Sequence, residues 1–365
     1  MRLTLFLDHA CNLRCTYCYN GEKFTRAMPL ETATTAIDLI VDGGIPLKQV
    51  GFFGGEPMMR YSLIQQITRH VRAKTQHYEK PVTMVVTCNG ALLTADKMPW
   101  LKENHFHIGV SIDGSPRAHD ACRIGTGGSG SHEAVEEGIR NVQQAGLPLK
   151  TISVIDPANV EWLAESLDHL LGLELHHLSF NLNYEGDWNE ANRARFERTI
   201  QEMGDSYVAA YRRGLSFKVN LFDAKIITHV KGGYACGDRC DFGCEELAVS
   251  PTGKLYPCDR LIGEDDRDDV VIGDVWKGID LMARGKLIED KNQVKDDCAE
   301  CDVQGRCMHW CGCVNYAMTG SVGGVSGLLC WFEQTVIDAA DRAAQTLYAE
   351  RNPGFVKRFY SHVLK

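Results

Sequence analysis

The sequence predicts an α/β fold with a parallel sheet, followed by a small cysteine-rich domain. Within residues 1–200, apolar segments of strand length alternate with amphipathic segments of helical length. This alternation is typical of parallel strands joined by right-handed crossovers. Ten of the 15 cysteines lie within residues 236–330, where the apolar segments shorten to hairpins. The sheet is either open and doubly wound or closed into a barrel, and in both folds the chemistry lies beyond the carboxyl ends of the strands.

Six strands are predicted because each segment is short and rich in Val, Ile, Phe and Thr. They are Leu3–Leu7, Gln49–Phe53, Val82–Thr87, His107–Ile112, Leu149–Ile155 and His177–Leu182. Helical periodicity predicts helices between these strands. They are Leu30–Asp42, Ser62–Lys74, Ala95–Glu103, Glu133–Ala145 and Val160–Leu171.

The remaining elements set the expected domain boundaries. A long helix is predicted over Glu190–Arg213, a hairpin over Leu247–Ser250 and Leu255–Pro257, and a last helix over Trp331–Arg351. We therefore expect an α/β domain, a linker, a cysteine-rich domain and a C-terminal helix with a basic tail. Their boundaries are 1–215, 216–235, 236–330 and 331–365.

Composition excludes several classes of protein. The net charge of −9 argues against a broad nucleic-acid-binding face. Nowhere do 18 apolar residues run together, so no transmembrane helix is expected. Met1 and Arg2 lead directly into a short apolar run without the features of a secretory signal. We therefore expect a cytoplasmic protein without a membrane association, in which clustered cysteines bind metal and do not form disulfides.

The first cysteine group follows the first strand directly. Cys11, Cys15 and Cys18 have gaps of three and two residues. A zinc site usually takes four ligands, and no fourth Cys or His lies close in this loop, since His9 is on the strand side. Three thiolates on a four-iron cluster leave one iron open. The triplet therefore favours a cluster that binds and reduces a small molecule.

Three more unusual loops follow the next strands and fall on the same rim. They contain Gly54-Gly55-Glu56-Pro57, then Asn89, then Ser111 with Asp113. A Gly-Gly turn lets backbone carbonyls approach a ligand, and Glu56 offers a counter-charge for an ammonium group. The alternative for Gly54–Pro57 is an ordinary turn between strand and helix. Cys88 is interpreted as a small packed residue.

The second cysteine group is equally specific. Cys298, Cys301, Cys307 and Cys311 have gaps of two, five and three residues, and Cys330 follows after eighteen more. Upstream, Cys258 ends a glycine-x4-cysteine motif that begins at Gly253 and is preceded by Cys236, Cys240 and Cys244. A zinc ribbon is the alternative, but ten cysteines exceed the needs of one zinc site.

The segment CysAsnLeuArgCysThrTyrCysTyr resembles the motif of the radical S-adenosylmethionine (AdoMet) enzymes. Gly54–Pro57 is similar to the family's AdoMet-ammonium motif, and Ser111 and Asp113 match its ribose contacts. The resemblance implies a partial (β/α)6 TIM-like barrel whose open iron chelates AdoMet. One electron then cleaves AdoMet to methionine and a 5′-deoxyadenosyl radical, which abstracts hydrogen from the substrate. Asn89 belongs to this expected site, and Arg123 is expected to meet the AdoMet carboxylate, with a surface position as its alternative.

The second cysteine group resembles the SPASM domain of peptide-modifying radical AdoMet enzymes, which carries two auxiliary [4Fe-4S] clusters. The resemblance assigns the outer cluster to four cysteines and the inner cluster to Cys258, Cys311 and two of a set of three. Three [4Fe-4S] clusters are therefore expected in all. The outer ligands are Cys298, Cys301, Cys307 and Cys330, and the set of three is Cys236, Cys240 and Cys244. Cys313 and Cys122 receive no role.

These resemblances imply an enzyme that modifies a peptide or protein side chain. One subtype is a maturase of ribosomally made peptides that forms a thioether or another crosslink. The other is an anaerobic sulfatase maturase that makes formylglycine from Cys or Ser, and its proposed base matches Asp259. A small-molecule dehydrogenase is a further alternative. A non-enzymatic scaffold is disfavoured, because a cluster with one open iron serves no structural purpose. Expected partners are the substrate, a separate leader-binding protein, and a low-potential electron donor such as flavodoxin or ferredoxin.

Overall fold

The computed structural model describes residues 1–293 and 295–361, except for the side chains of Cys236 and Asp297. The chain divides into two compact units. The first contains Met1–Ser111, Arg123–Leu149 and Asp241–Lys291. The second contains Ile112–Cys122, Lys150–Cys240 and the described residues from Asn292 onward. Each unit thus joins separate chain segments, and the sequence-continuous domain boundaries stay a prediction.

Eleven strands occur in the described part of the chain, and the six predicted ones all appear within one residue of their expected ends. They are β1 (Arg2–Phe6), β2 (Gln49–Phe53), β3 (Thr83–Cys88), β4 (Phe106–Ser111), β5 (Leu149–Ile155), β6 (His177–Leu182), β7 (Lys218–Val219), β8 (Glu246–Val249), β9 (Leu255–Tyr256), β10 (Gly273–Asp274) and β11 (Gly278–Ile279).

Thirteen α-helices lie in the same described residues, together with short 3₁₀ turns. They are α1 (Leu30–Asp42), α2 (Tyr61–Lys74), α3 (Met98–Glu103), α4 (Pro116–Asp120), α5 (His132–Ala145), α6 (Leu163–Gly172), α7 (Glu190–Arg212), α8 (Asn220–Lys231), α9 (Leu281–Asn292), α10 (Asp296–Ala299), α11 (Gly312–Thr319), α12 (Gly327–Ala349) and α13 (Pro353–Tyr360). None of the described helices is long and apolar enough to cross a membrane.

The first unit is built on strands in the order β4-β3-β2-β1-β8-β9. All neighbours are parallel except β8 and β9, and Arg2 is aligned with both Gln49 and Glu246. The pairing of β1 with β8 brings part of the cysteine-rich segment onto the edge of the sheet. Apolar side chains on these strands are buried, each contributing about 1.5–3 kcal/mol, and α1 packs against α2. The predicted α/β class is confirmed.

The second unit places β5, β6 and β7 side by side in parallel. Its long helix α7 packs against α6 and α12, and α12 also packs against α8. The stretch predicted as a linker, 216–235, holds β7 and α8, because Leu221, Phe222 and Ile226 are buried on one face of that helix. α12 begins four residues before the predicted Trp331, because the Ser326 side chain accepts a hydrogen bond from the Leu329 N–H and caps it.

Candidate radical cluster site and auxiliary cysteine sites

Asp8, directly after β1, anchors the loop that carries the first three cysteines. Its Oδ1 accepts hydrogen bonds from the backbone N–H groups of Ala10 (3.1 Å) and Arg26 (2.9 Å). Its Oδ2 pairs with the Arg60 guanidinium at 2.5 Å. Burial opposes the negative charge, but these donors together hold the pKa of Asp8 below its usual value. Both ends of the cysteine loop are therefore tied to one carboxylate, which no sequence motif had predicted.

The three thiols of the loop are half-buried. Cys11 has two hydrogen-bond donors near its sulfur. Its Sγ accepts from the Leu13 N–H at 3.4 Å and lies 3.9 Å from Nδ2 of Asn89. The same Asn89 amide donates to Oδ1 of Asn12 at 2.8 Å. Burial raises the pKa of the Cys11 thiol. Hydrogen bonds to sulfur are among the features that tune an iron–sulfur cluster, so this donor set fits a cluster ligand.

The turn at Gly54 and Gly55 packs directly against the backbone of the cysteine loop. The Gly55 N–H donates to the Asp8 carbonyl at 2.7 Å, and the Glu56 N–H donates to the Ala10 carbonyl at 2.9 Å. A Cβ at Gly55 would lie 2.3 Å from the Ala10 oxygen, and Gly54 has a φ of +135°. The two glycines are therefore needed for this close approach of two loops. The Gly54 carbonyl accepts from Nδ2 of Asn20.

Glu56 is a buried carboxylate, 1% exposed, at the centre of this region. Its Oε1 accepts from the Met58 N–H at 2.8 Å, and its Oε2 accepts from the Asn89 N–H at 2.7 Å. Pro57 begins the 3₁₀ turn that Glu56 caps. Burial raises the pKa of Glu56 to about 7, although these N–H donors and the charge of Arg123 oppose the rise. A cationic ligand group beside this carboxylate would therefore lower its pKa and favour the ionised form.

Arg123 lies inside the first unit and is buried, which excludes the surface position that was its alternative. Its guanidinium donates to the Tyr17 hydroxyl at 2.8 Å. The neighbouring segment joins the cysteine loop through the Arg14 N–H, which donates to the Ile124 carbonyl at 2.7 Å. Tyr17 lies between two cysteines of the motif, a position that could have identified it from the sequence.

The two residues expected at the ribose lie in different units. Ser111 ends β4 and is half-buried in the first unit. Asp113 belongs to the second unit, where its Oδ1 accepts from the Val154 N–H at 2.9 Å and its own N–H donates to Nδ1 of His119. Their contact with a ribose stays a prediction.

Asp259 lies beside Cys258, whose thiol donates to Asp259 Oδ1 at 3.5 Å. Burial raises the pKa of Asp259. Tyr19, directly after the third cysteine, has its ring 4.7 Å from the Arg260 guanidinium. Burial raises the pKa of Tyr19, and the charge of Asp259 adds to the rise. Tyr19 could have been identified from the sequence, because it follows Cys18 as directly as Asp259 follows Cys258.

Four cysteines of the second unit line one cavity, together with Val303, Gln304, His309 and Gln334. They come from four places in the chain: α10, the turn after it, the segment after Arg306, and the first turn of α12. This convergence fits a site with four thiolate ligands. The four are the expected outer ligands Cys298, Cys301, Cys307 and Cys330.

The cysteines expected at the inner cluster divide between the units. Cys244 and Cys258 are in the first unit, whereas Cys240 and Cys311 are in the second. The Cys236 side chain lies outside the described residues. The Sγ atoms of Cys311 and Cys313 are 3.6 Å apart.

The two cysteines between the groups are both buried. Cys88 is packed in β3 and donates to the Gly109 carbonyl at 3.7 Å, in agreement with its interpretation as a packed residue. Cys122 is buried in the second unit.

The first part of the chain is similar to a known protein family. Residues 7–170 match the Radical SAM superfamily. A serine-type anaerobic sulfatase-maturating enzyme of Klebsiella aerogenes is 24% identical over 321 residues, which cover 83% of this chain and 77% of that enzyme. A PqqA peptide cyclase of Granulibacter bethesdensis is 27% identical over 333 residues, which cover 88% of this chain and 85% of that enzyme.

A solved structure shares the fold over almost the whole chain. It is native anSMEcpe with bound AdoMet and Cp18Cys peptide, with a TM-score of 0.78 and 18% sequence identity. The match covers 96% of this chain and 99% of that one. The fold likeness agrees with the partial barrel and the cysteine-rich domain expected from the sequence.

Proposed function

We propose that this protein, a radical SAM enzyme by the domain that spans residues 7–170, modifies a side chain of a peptide or protein. The observation that carries the proposal is the packing of the cysteine loop against the turn that ends in Glu56. The proposal is supported by relatives named for peptide cyclisation and sulfatase maturation, which align with both the radical SAM segment and the cysteine-rich segment. The family implies AdoMet and a [4Fe-4S] cluster, which together supply hydrogen-atom abstraction when bound.

In this proposal the chain's own residues hold and orient the cofactors. Cys11, Cys15 and Cys18 ligate the cluster, and the N–H donors of Leu13 and Asn89 surround the Cys11 sulfur. Glu56 receives the ammonium group of AdoMet. Its two hydrogen bonds to backbone N–H groups fix the carboxylate before the ligand arrives, so little ordering cost remains at binding.

The remaining AdoMet contacts follow from the same assignment. Arg123, held by Tyr17, meets the AdoMet carboxylate, and Ser111 and Asp113 meet the ribose. Gly54, Gly55 and Pro57 shape the turn, which a side chain at either glycine would push away from the cysteine loop.

Two auxiliary [4Fe-4S] clusters complete the assignment, which gives three clusters in all. The cavity shared by four cysteines supports the outer one. The inner cluster is assigned to Cys258 and Cys311 with two of Cys236, Cys240 and Cys244. Because a cysteine ligates each iron of both auxiliary clusters, no iron is open to substrate. Both clusters therefore carry electrons and do not bind substrate.

Asp259 is the proposed base. It lies beside Cys258, and loss of a proton together with an electron spares the substrate radical a high-energy cation. The further partners are a low-potential donor such as flavodoxin or ferredoxin, and a separate leader-binding protein. The reducing cytoplasm suits such a protein, since its cysteines must stay reduced to bind iron.

We favour a peptide maturase that forms a thioether or another crosslink. The sulfatase maturase is the second candidate, and Asp259 directly after Cys258 favours it, since that family places its proposed base there. A small-molecule radical AdoMet dehydrogenase is the third.

The test uses the anaerobically reconstituted protein, AdoMet, a low-potential chemical reductant that supplies the electron for AdoMet cleavage, and two kinds of peptide. One is any short Cys- or Gly-rich peptide encoded beside the gene, and the other is a sulfatase-derived peptide with a Cys or Ser at the modified position. A crosslink removes two hydrogens and creates no aldehyde, whereas formylglycine is an aldehyde that reacts with a hydrazine. A crosslinked peptide without an aldehyde supports the peptide maturase. An aldehyde on the sulfatase-derived peptide would instead support the sulfatase maturase.

A matched pair of variants tests the site itself. Replacing Cys11, Cys15 and Cys18 together by Ala lowers iron from about twelve to about eight atoms per chain and abolishes AdoMet cleavage. Cys88→Ala is the control, because this buried cysteine is packed in β3, and it keeps both. A triple variant that still makes 5′-deoxyadenosine would contradict the assignment.

A further inference from the structure

The corner between α12 and α13 forms a surface cavity of about 530 Å³ in the second unit. Its lining combines an apolar wall with two positive charges. The wall consists of Tyr348, Pro353 and Val356, and the charges belong to Arg351 and Lys357. The cavity lies entirely within one unit, and the proposed cofactor sites do not use it.

Hydrogen bonds and a buried ring hold the two helices in place around this cavity. The Asn352 side chain accepts from the Phe355 N–H at 3.1 Å and donates to the Tyr211 carbonyl at 3.1 Å. Phe355 is fully buried and anchors α13. The Tyr348 ring, 55% exposed, lies 4.9 Å from the Tyr360 ring. The apolar wall is therefore preformed, and a ligand meets a surface with little left to order.

The two cations of the cavity are not neutralised by the described part of the chain, where no carboxylate pairs with Arg351 or Lys357. The carboxylate next to them in sequence, Glu350, is bonded to the Arg212 guanidinium instead. The whole chain has a net charge of −9, so composition alone does not account for a positive cavity. Its charge is complementary to an anionic ligand.

Arg351 occupies a position that usually takes glycine. It follows α12 with a φ of +51°. Its N–H donates to the Tyr348 carbonyl at 2.9 Å, and the Asn352 N–H donates to the Leu347 carbonyl at 3.0 Å. This pattern ends a helix with a left-handed residue, which is unfavourable for any residue with a Cβ. The turn itself does not require arginine, and backbone outliers of this kind gather at functional sites.

We propose that this cavity binds an acidic segment of the peptide substrate, in which acidic side chains flank an apolar one. The guanidinium of Arg351 and the ammonium of Lys357 bind the carboxylates, and the apolar wall contacts the side chain between them. The inference rests on the proposed function, which makes the substrate a peptide or protein. Binding energy from a segment outside the modified residue holds a substrate whose reacting side chain alone would bind weakly.

Peptide binding to the anaerobically reconstituted full chain tests the proposal without AdoMet. The probe is a short fluorescent peptide of alternating Glu and Leu, and fluorescence anisotropy measures its affinity. We expect the affinity to fall as salt rises from about 0.05 to 0.5 M, because the Debye length shortens. Peptides with Gln in place of Glu, or with Gly in place of Leu, should bind at least about fivefold more weakly.

Variants assign this binding to the two cations. The double change Arg351→Glu with Lys357→Glu should weaken it at least about tenfold, whereas Arg195→Glu is the matched control and leaves it unchanged. Arg195 is exposed near the beginning of α7, and the other end of that helix reaches Glu350 through Arg212. Arg351→Gly should weaken binding yet raise the denaturation midpoint, because it removes the cation and relieves the left-handed backbone.

Equal affinity for the Glu and Gln peptides, or unchanged affinity in the double variant, would overturn the proposal. A wild-type dimer that dissociates in the double variant, measured by sedimentation, would also overturn it, because the cavity would then belong to a second copy of the chain. The anisotropy assay contains no AdoMet, so its outcome does not depend on radical chemistry. A wild-type protein that binds the Glu peptide but modifies no peptide would contradict the proposed function and leave this binding site standing.

Discussion

Lys225 of α8 and Glu333 of α12 form a buried ion pair of 2.5 Å, with side chains only 3% and 2% exposed. The pair holds both sides of Cys307, an expected ligand of the outer cluster. The Lys225 ammonium also donates to the Arg306 carbonyl at 3.0 Å, and Glu333 accepts from the Met308 N–H at 2.8 Å. The backbone on either side of the cysteine is thus fixed by charges from two helices.

Breaking this pair is expected to destabilise the protein and to empty the outer site. Lys225→Met leaves the Glu333 carboxylate buried without its partner, which costs about 3–5 kcal/mol. We expect a lower denaturation midpoint and a loss of about four irons per chain. Lys48→Met is the matched control, because the Lys48–Glu245 pair is exposed, and it should change neither. Wild-type iron and stability in Lys225→Met would contradict this role.

AdoMet binding is expected to depend on pH through Glu56. The pKa of this buried carboxyl is about 7, so the ligand-free protein holds a proton there at pH 6 and has lost it by pH 8. The ammonium of AdoMet needs the ionised form of Glu56, so affinity should rise between these values, by less than about tenfold because an α-amino group itself begins to lose its proton near pH 8. Equilibrium dialysis with the cluster-loaded protein measures it.

Two controls make this result specific to Glu56. In Glu56→Gln the affinity should be lower and nearly independent of pH, whereas a pH dependence that persists in the variant would place the titrating group elsewhere. The ligand-free protein should also lose stability as the pH rises from about 4.5 to 7. The folded state binds more protons than the unfolded state in that range, which makes the slope negative.

Gly55→Ala should displace the cysteine loop. The added Cβ would lie 2.3 Å from the Ala10 carbonyl oxygen and 2.6 Å from the His9 oxygen, and these backbone atoms cannot rotate away as a side chain could. We expect a loss of about 1–3 kcal/mol, as for other overpacked sites, with weaker AdoMet cleavage. Gly127→Ala is the control, since a Cβ there has no neighbour within 4 Å. Equal denaturation midpoints for the two variants would contradict the close approach.

The sequence predicted the strands well because local composition determines them. β2, β5 and β6 begin and end at the predicted residues, since each is a short run of apolar and β-branched residues between turns. The four cysteines that the resemblance assigns to the outer cluster line one cavity, because the family motif already contains the fold's long-range contacts, and their ligation of a cluster stays a prediction.

The features that sequence did not predict depend on tertiary contacts. Lys225 and Glu333 are 108 residues apart, and no local pattern marks either as buried. Residues 216–235 were expected to be a linker, yet they contain α8, which packing against α12 stabilises. The anchoring role of Asp8 was not predicted, because a carboxylate that follows a strand is usually exposed to solvent. Here two backbone N–H groups and a guanidinium satisfy its oxygens in the interior.

Asp259→Asn is expected to separate AdoMet cleavage from product formation. Asn has nearly the same shape as Asp and cannot accept the proton, so the variant should keep all three clusters and still make 5′-deoxyadenosine. Product should form at least about a hundredfold more slowly, the usual scale for losing a general base. Asp266→Asn is the matched control, because Asp266 is an exposed member of the nearby acidic stretch, and it should form product at the wild-type rate. If Asp259→Asn also does so, the base lies elsewhere, and Tyr184 and His309 are the next residues to replace.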